Sequence, residues 1–171
     1  ILAKSALNEM DPEKLTDDIM QSAKAFSETA IIVIGRTSAE NSDLSPETLA
    51  LSDNERAMVE KVCSTFSDVI VLFNIGNVME MGFIDEYESI KAAAIVWIPG
   101  EFGMRAVGQM LKGNVNPSGR LADTVAYSIF DHPSTQNFGS YEYDGGEYYV
   151  EYQEGIYVGY RYFETFAKDK V

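Results

Sequence analysis

Glu40 and Asp43 are the residues of this chain whose types and spacing could do acid–base chemistry. They lie in "GRTSAENSDL" (Gly35–Leu44), which runs straight on from the apolar stretch "AIIVIG" (Ala30–Gly35). A carboxyl group beside the end of a buried strand can be partly desolvated. Desolvation lifts its pKa toward working pH, where it can give up and take back a proton. Arg36 and Ser38, a cation and a hydroxyl in the same stretch, are candidates for binding a substrate or ordering the loop. A loop glutamate in an acidic chain is ordinarily solvated and inert, so its position has to decide.

That position follows from the elements around it. "DPEKLTDDIMQSAKAF" (Asp11–Phe26) reads as a helix, with Asp11 as cap, Pro12 at the first turn and an apolar stripe of Leu15, Ile19, Ala23 and Phe26. "AIIVIG" reads as a short strand buried on both faces, as in a parallel sheet. Ser52-Asp53-Asn54-Glu55 spells a capping box for a second helix with Met58, Val59, Val62, Cys63 and Phe66 facing inward. "DVIVLFNIG" (Asp68–Gly76) and "AAAIVWIPG" (Ala92–Gly100) repeat the buried-strand pattern, and a third helix is predicted from about Phe102 to Lys112. Strands alternating with helices predict an α/β fold, a mostly parallel sheet flanked by helices with right-handed crossovers. In such sheets working groups gather beyond the carboxyl ends of the strands. "GRTSAENSDL", "NIGNVME" and "PGEFGM" all fall there.

Composition narrows the partners. The 171 residues fit a single domain, and 13 Lys+Arg against 27 Asp+Glu give a net charge of −14. Such a field repels nucleic acid and anionic membranes and suits a neutral or cationic ligand. No apolar run approaches the roughly 20 residues of a membrane span. Cys63 is the one cysteine, so no internal disulfide forms, and on a helix's apolar face it reads as a small core residue. Acidity with a single cysteine leans toward a cytoplasmic protein. His132 stands without ligand spacing and no phosphate-cradling motif occurs, so neither a metal nor a cofactor is expected. Trp97 ends a strand and reads as core packing, and Arg120 as a buried ion-pair or carbonyl-binding residue.

From Phe138 to Val171 the chain changes character. "YEYDGGEYYVEYQEGIYVGYRYF" interleaves tyrosines with glutamates, and Gly145-Gly146 marks a turn between extended segments. Tyrosine buries a ring while keeping a wet hydroxyl, so this segment suits packing on the sheet or on a partner domain.

Taken in order, "AIIVIGRTSAENSD", "LSDNERAMVEKV", "VIVLFNIGNVMEM", "AAAIVWIPGEFGMRAVGQMLKGNVNPSGRLADT" and "EGIYVGYRYFET" resemble glycoside hydrolase family 3. They look like its second domain, the α/β sandwich of β-glucosidases and related exo-acting enzymes, from about Thr29 to Thr165. The resemblance implies a retaining mechanism for terminal β-glycosides, with a neutral sugar, glucose foremost, as substrate. An aspartate from a companion (β/α)₈ barrel attacks the anomeric carbon, and a glutamate from the sandwich protonates the leaving oxygen. Retention sets the two carboxyl groups about 5–5.5 Å apart.

The family's loop reads Ser-Gly-Glu-Gly-x-Asp-Arg, and the matching register here is Ser38 to Leu44. Glu40 falls on the acid/base position and Asp43 on the aspartate, which reads as ordering the loop through backbone amides. Three positions depart from the pattern: Ala39 and Asn41 replace glycines and Leu44 replaces arginine. No Ser-Asp-Trp nucleophile motif and no barrel's worth of strands occur in the sequence. The expectation is therefore an N-terminally incomplete sandwich domain, inactive alone, with homo-oligomerisation left open. The alternative is a non-catalytic domain whose altered loop only shapes or binds a sugar. A flavodoxin-like or receiver-like domain would leave "NPSGRL" and "EGIYVGYRYF" without a purpose.

Overall fold

The structure, a computed structural model, describes residues 11–36, 44–137 and 141–171. It divides into two compact units, Ile1–Val78 with Phe83–Gly119, and Met79–Gly82 with Arg120–Val171.

The first unit is built on a parallel sheet of three strands in sequence order. These are β1 (Thr29–Arg36), β2 (Asp68–Ile75) and β3 (Ile90–Ile95). β1 and β2 pair without interruption from Thr29 opposite Asp68 to Arg36 opposite Ile75. The β2–β3 pairing slips once, between Val69 and Ile70. Alternation along the strands puts Ile32, Ile34, Val71 and Phe73 on one face, and all four are buried. Helix α2 (Asp53–Thr65) packs on β1 and β2, and α1 (Asp17–Phe26) packs on α2. Val59 is the fully buried residue of α2, and Phe73 meets Phe83 edge to face at 6.0 Å. After β3 comes α3 (Gly100–Leu111), which buries Val107.

Several elements differ from the sequence expectation for local physical reasons. Asp11 caps only a short 3₁₀ turn at Pro12–Lys14; Thr16 then caps α1 afresh, with its hydroxyl accepting from the Ile19 amide. That restart rotates the inward face onto Met20, so Ile19 and Phe26 are exposed, Phe26 by 91%. β1 is buried on one face rather than two: Ile31 and Val33, on the side away from α2, are each 49% exposed. The link from β2 to β3 holds a 3₁₀ turn at Gly82–Glu86 where a helical crossover was expected. The capping box of α2 is present as expected, Ser52 Oγ accepting from the Glu55 amide and Glu55 Oε2 from the Ser52 amide.

The second unit centres on α4 (Tyr160–Phe166), whose Phe163 is buried with Ala126 and Ala167 against Tyr162. β4 (Tyr141–Glu142) and β5 (Tyr148–Tyr149) form an antiparallel hairpin. Gly145 and Gly146 make its turn at φ 127° and 85°, angles that side chains with a Cβ resist. Tyr149 stacks between Tyr143 at 4.3 Å and Tyr141 at 5.4 Å. His132 stands edge-on to Phe163 at 4.9 Å, and burial there holds its ring below the usual imidazole pKa against the smaller opposing pull of Asp131 and Asp123.

Two outcomes follow from this packing. Phe73→Ala should destabilise the chain by about 3–5 kcal/mol in denaturant unfolding, and Ile31→Ala by about 1 kcal/mol or less. Equal losses would contradict the one-sided burial of β1. For His132, the folded state favours the neutral ring, so the unfolded chain binds the proton more readily. Its contribution is present above the ordinary value of 6.5 and is lost as pH falls below it. His132→Gln should therefore flatten the fall in thermal midpoint between about pH 7 and about pH 5.

Candidate active site

The carboxyl ends of the three strands define one edge of the first unit. β1 ends at Arg36, β2 runs out through Gly76 and Asn77, and β3 runs out through Val96, Trp97 and Ile98 to the start of α3. The segment carrying Ser38, Glu40 and Asp43 follows Arg36 directly, and those three residues lie outside the described residues. What the structure fixes is the frame from which that segment departs and to which it returns.

Arg36 makes that frame. Its Nη1 donates to the carbonyl of Thr48 at 2.8 Å, and its Nη2 donates to the carbonyl of Ala50 at 2.8 Å and to Glu55 Oε2. Thr48 belongs to a 3₁₀ turn at Pro46–Leu49. The same Glu55 oxygen accepts from the Ser52 amide at 2.9 Å, so one carboxylate closes both the ion pair and the helix cap. The two side chains are only 19% and 11% exposed. A guanidinium suits this role because its planar fork serves several acceptors at once, where an ammonium is a point charge. With its two terminal nitrogens engaged by protein acceptors, Arg36 faces the returning chain rather than an open ligand site.

Two buried side-chain atoms have no hydrogen-bond partner among the described residues, Arg36 Nε and Asn77 Oδ1. Asn77 uses its amide nitrogen on the Val78 carbonyl at 2.9 Å, leaving the oxygen unmatched. A buried polar group without a partner costs about 1–3 kcal/mol, so such atoms are rare and need a reason. Both occur at the carboxyl edge, one a donor and one an acceptor.

Trp97 adds a third irregularity there. It is the one non-glycine residue of the described set with positive φ, at 53°, and it is 44% exposed. Bulky residues avoid that region, so the backbone is held there by its surroundings. The core role expected for Trp97 is thereby corrected: the strand ends at Ile95, and the turn into α3 lifts the indole out of the packed layer. Arg120, expected in a buried ion pair, is instead exposed. Cys63 is half buried on α2, and burial pushes its thiol pKa up. Among the described residues no group of three or more His, Cys, Asp or Glu could hold a metal, and no helix is long and apolar enough to cross a membrane.

Residues 4–160 match the model of the glycosyl hydrolase family 3 C-terminal domain. The chain belongs to that family. The family 3 domain described here is 44% identical over 159 residues to a β-glucosidase of Ruminococcus albus, covering 92% of this chain and 16% of that protein. It is 37% identical over 183 residues to β-glucosidase A of Butyrivibrio fibrisolvens, covering 92% of this chain and 21% of that one. Among solved structures it resembles a β-glucosidase from Paenibacillus barengoltzii, with a TM-score of 0.82 and 45% identity over 91% of this chain and 17% of that one. The chain thus spans about a fifth of the length of the relatives it matches.

Sequence reasoning did not single out Asn77 or the bond between Glu55 and Arg36 in this family 3 domain. Glu55 was visible as a cap residue, but a pairing 19 positions away carries no periodic signal. For Trp97 the structure supports a test of strain. Trp97→Asn relieves the left-handed backbone but uncovers the half of the indole that is packed, so it should lower the thermal midpoint by clearly less than Phe73→Ala does. A loss as large as that of a buried aromatic would show that the whole indole is packed.

Proposed function

We propose that this domain supplies the general acid/base carboxylate, Glu40, to a retaining β-glucosidase whose nucleophile sits on a (β/α)₈ barrel of the same enzyme. The observation that carries the reading is the departure of the Glu40 segment from the carboxyl end of β1 in a family 3 domain. The relatives at 44% and 37% identity are β-glucosidases. In glycosylation Glu40 protonates the departing glycosidic oxygen while the barrel's carboxylate bonds to the anomeric carbon. In the second step Glu40 takes a proton from water, which hydrolyses the glycosyl-enzyme. The neighbouring nucleophile's charge and partial desolvation both favour the protonated form of Glu40, as the first step requires.

A neutral terminal β-glucoside is the substrate class this reading assigns, and a net charge of −14 discriminates against anionic ones. The domain alone is inactive on this reading, because an acid without its nucleophile is half a site. The replacements at Ala39, Asn41 and Leu44 favour one competing reading, a domain that shapes the sugar site while the proton comes from elsewhere.

The two readings separate in the full-length enzyme carrying Glu40→Gln, assayed on an activated aryl β-glucoside and on cellobiose. An acid/base role predicts a loss of about 10²–10⁴-fold on cellobiose, a much smaller loss in glycosylation of the aryl substrate, and recovery of aryl turnover with azide. Small and equal losses on both substrates, without azide rescue, would assign the proton to another group.

A further inference from the structure

We infer that Arg36 and Glu55 form a positioning pair for the acid/base group, fixing the segment that carries it rather than touching substrate; this rests on the Glu40 reading above. The inference comes from where the bonds go. Arg36 is the last residue of β1, the point at which the chain leaves the sheet. Its guanidinium bonds the carbonyls of Thr48 and Ala50, on the stretch where the chain returns to α2. One side chain therefore ties the departure to the return across 12 and 14 positions of sequence. Closing a segment of that length by a single anchored cation removes much of the freedom of its ends.

Glu55 makes the anchor rigid. Its Oε2 accepts hydrogen bonds from Arg36 Nη2 and from the Ser52 amide together. The orientation of the guanidinium is thus referred to the first turn of α2, and α2 packs on β1 and β2. The chain of support runs from sheet to helix to carboxylate to guanidinium to loop ends. A residue meant to meet substrate would instead present its nitrogens outward, whereas here both terminal nitrogens donate to protein acceptors.

Lysine cannot replace this geometry, because a single ammonium lacks the planar fork from which Arg36 reaches three acceptors. A general acid is sensitive to such support: a displacement of about 1 Å can cost about 10²-fold in rate. The cost falls on the step that needs the proton, so it scales with how poor the leaving group is. A merely structural pair would cost stability and would tax all substrates alike.

The test uses the full-length enzyme with Arg36→Lys and Glu55→Gln, and Ser52→Ala as a control that loses the cap hydroxyl but keeps the ion pair. Each is assayed on an activated aryl β-glucoside and on cellobiose, with pH profiles and thermal midpoints. The expected result is a roughly 10- to 100-fold lower kcat on cellobiose for both pair variants, with KM little changed and a much smaller loss on the aryl substrate. The high-pH limb of kcat/KM should also shift in the pair variants. Ser52→Ala should lower the thermal midpoint without changing the ratio between substrates. Losses equal on the two substrates, in step with the thermal midpoint, would overturn the inference. If Glu55→Gln does not fold, Glu55→Asp, which keeps the charge and moves the carboxylate, carries the same test. Glu40→Gln run alongside separates the failures: if it shows no leaving-group dependence, the acid/base reading falls and this inference with it. If it does and the pair variants do not, the inference alone falls.

Discussion

The parallel pairing of β1 on β2, from Thr29 opposite Asp68 to Arg36 opposite Ile75, is the constraint on which the candidate site depends. Because side chains alternate across a sheet, a slip of one residue would turn Arg36 away from α2 and send Ile32 and Ile34 to the more exposed face. The register is held by burial that is heaviest on one side, although Leu72 of β2 is covered on the other. Val71 and Phe73 continue that buried row on β2, and Val59 closes it from α2. Hydrophobic packing therefore sets the position of a charged residue that itself takes no part in the core.

That residue works in a setting where charge is expensive. Arg36 and Glu55 are largely withdrawn from water, and desolvation offsets much of the attraction between partners in such a place. The pair is tolerable because both partners have further bonds: Arg36 donates to two backbone carbonyls and Glu55 Oε2 accepts from a cap amide, while Arg36 Nε has no partner among the described residues. An apolar substitute of equal volume could serve stability as well, but it could not hold two carbonyls in place. The arrangement favours definition of geometry over stability, which is what the acid/base role proposed for Glu40 would need of its segment's ends.

Much of this was legible in the sequence, and the reasons are specific. The continuous β-branched run Ala30–Gly35 and its repeat at Val69–Ile75 announce parallel strands, and Ser52 with Glu55 announces the start of α2. Local chemistry fixes such features within a few residues. Features set by distant contacts were not legible. Thr16 followed by Asp17 and Asp18 is itself a helix-start signal, but Asp11 with Pro12 offers a competing start five residues earlier, and the turn of Met20 inward is settled by packing on α2. The pattern of "AAAIVWIPG" does not reveal that the strand ends before Trp97, since an apolar residue reads the same in a strand or in a strained turn. At the candidate site, Glu40, Asp43 and Ser38 came from the family register, whereas Glu55 and Asn77 required coordinates.

Among the described residues, a positive φ at a tryptophan, an unmatched donor on Arg36 and an unmatched acceptor on Asn77 all lie where the strands end. A fold under selection for stability alone would remove such features, since each costs free energy and each could be relieved by a single substitution. Their concentration at the carboxyl edge matches the rule that open parallel sheets place their working groups there, and it does so without appeal to the loop's own residues. The sheet's other end carries a cap, the Ser27 hydroxyl accepting from the Thr29 amide, and the slip of the β2–β3 pairing between Val69 and Ile70. That slip disturbs only the ladder between two strands, whereas the carboxyl edge combines a strained backbone with buried polar atoms unmatched among the described residues, the features of an edge built to meet a ligand.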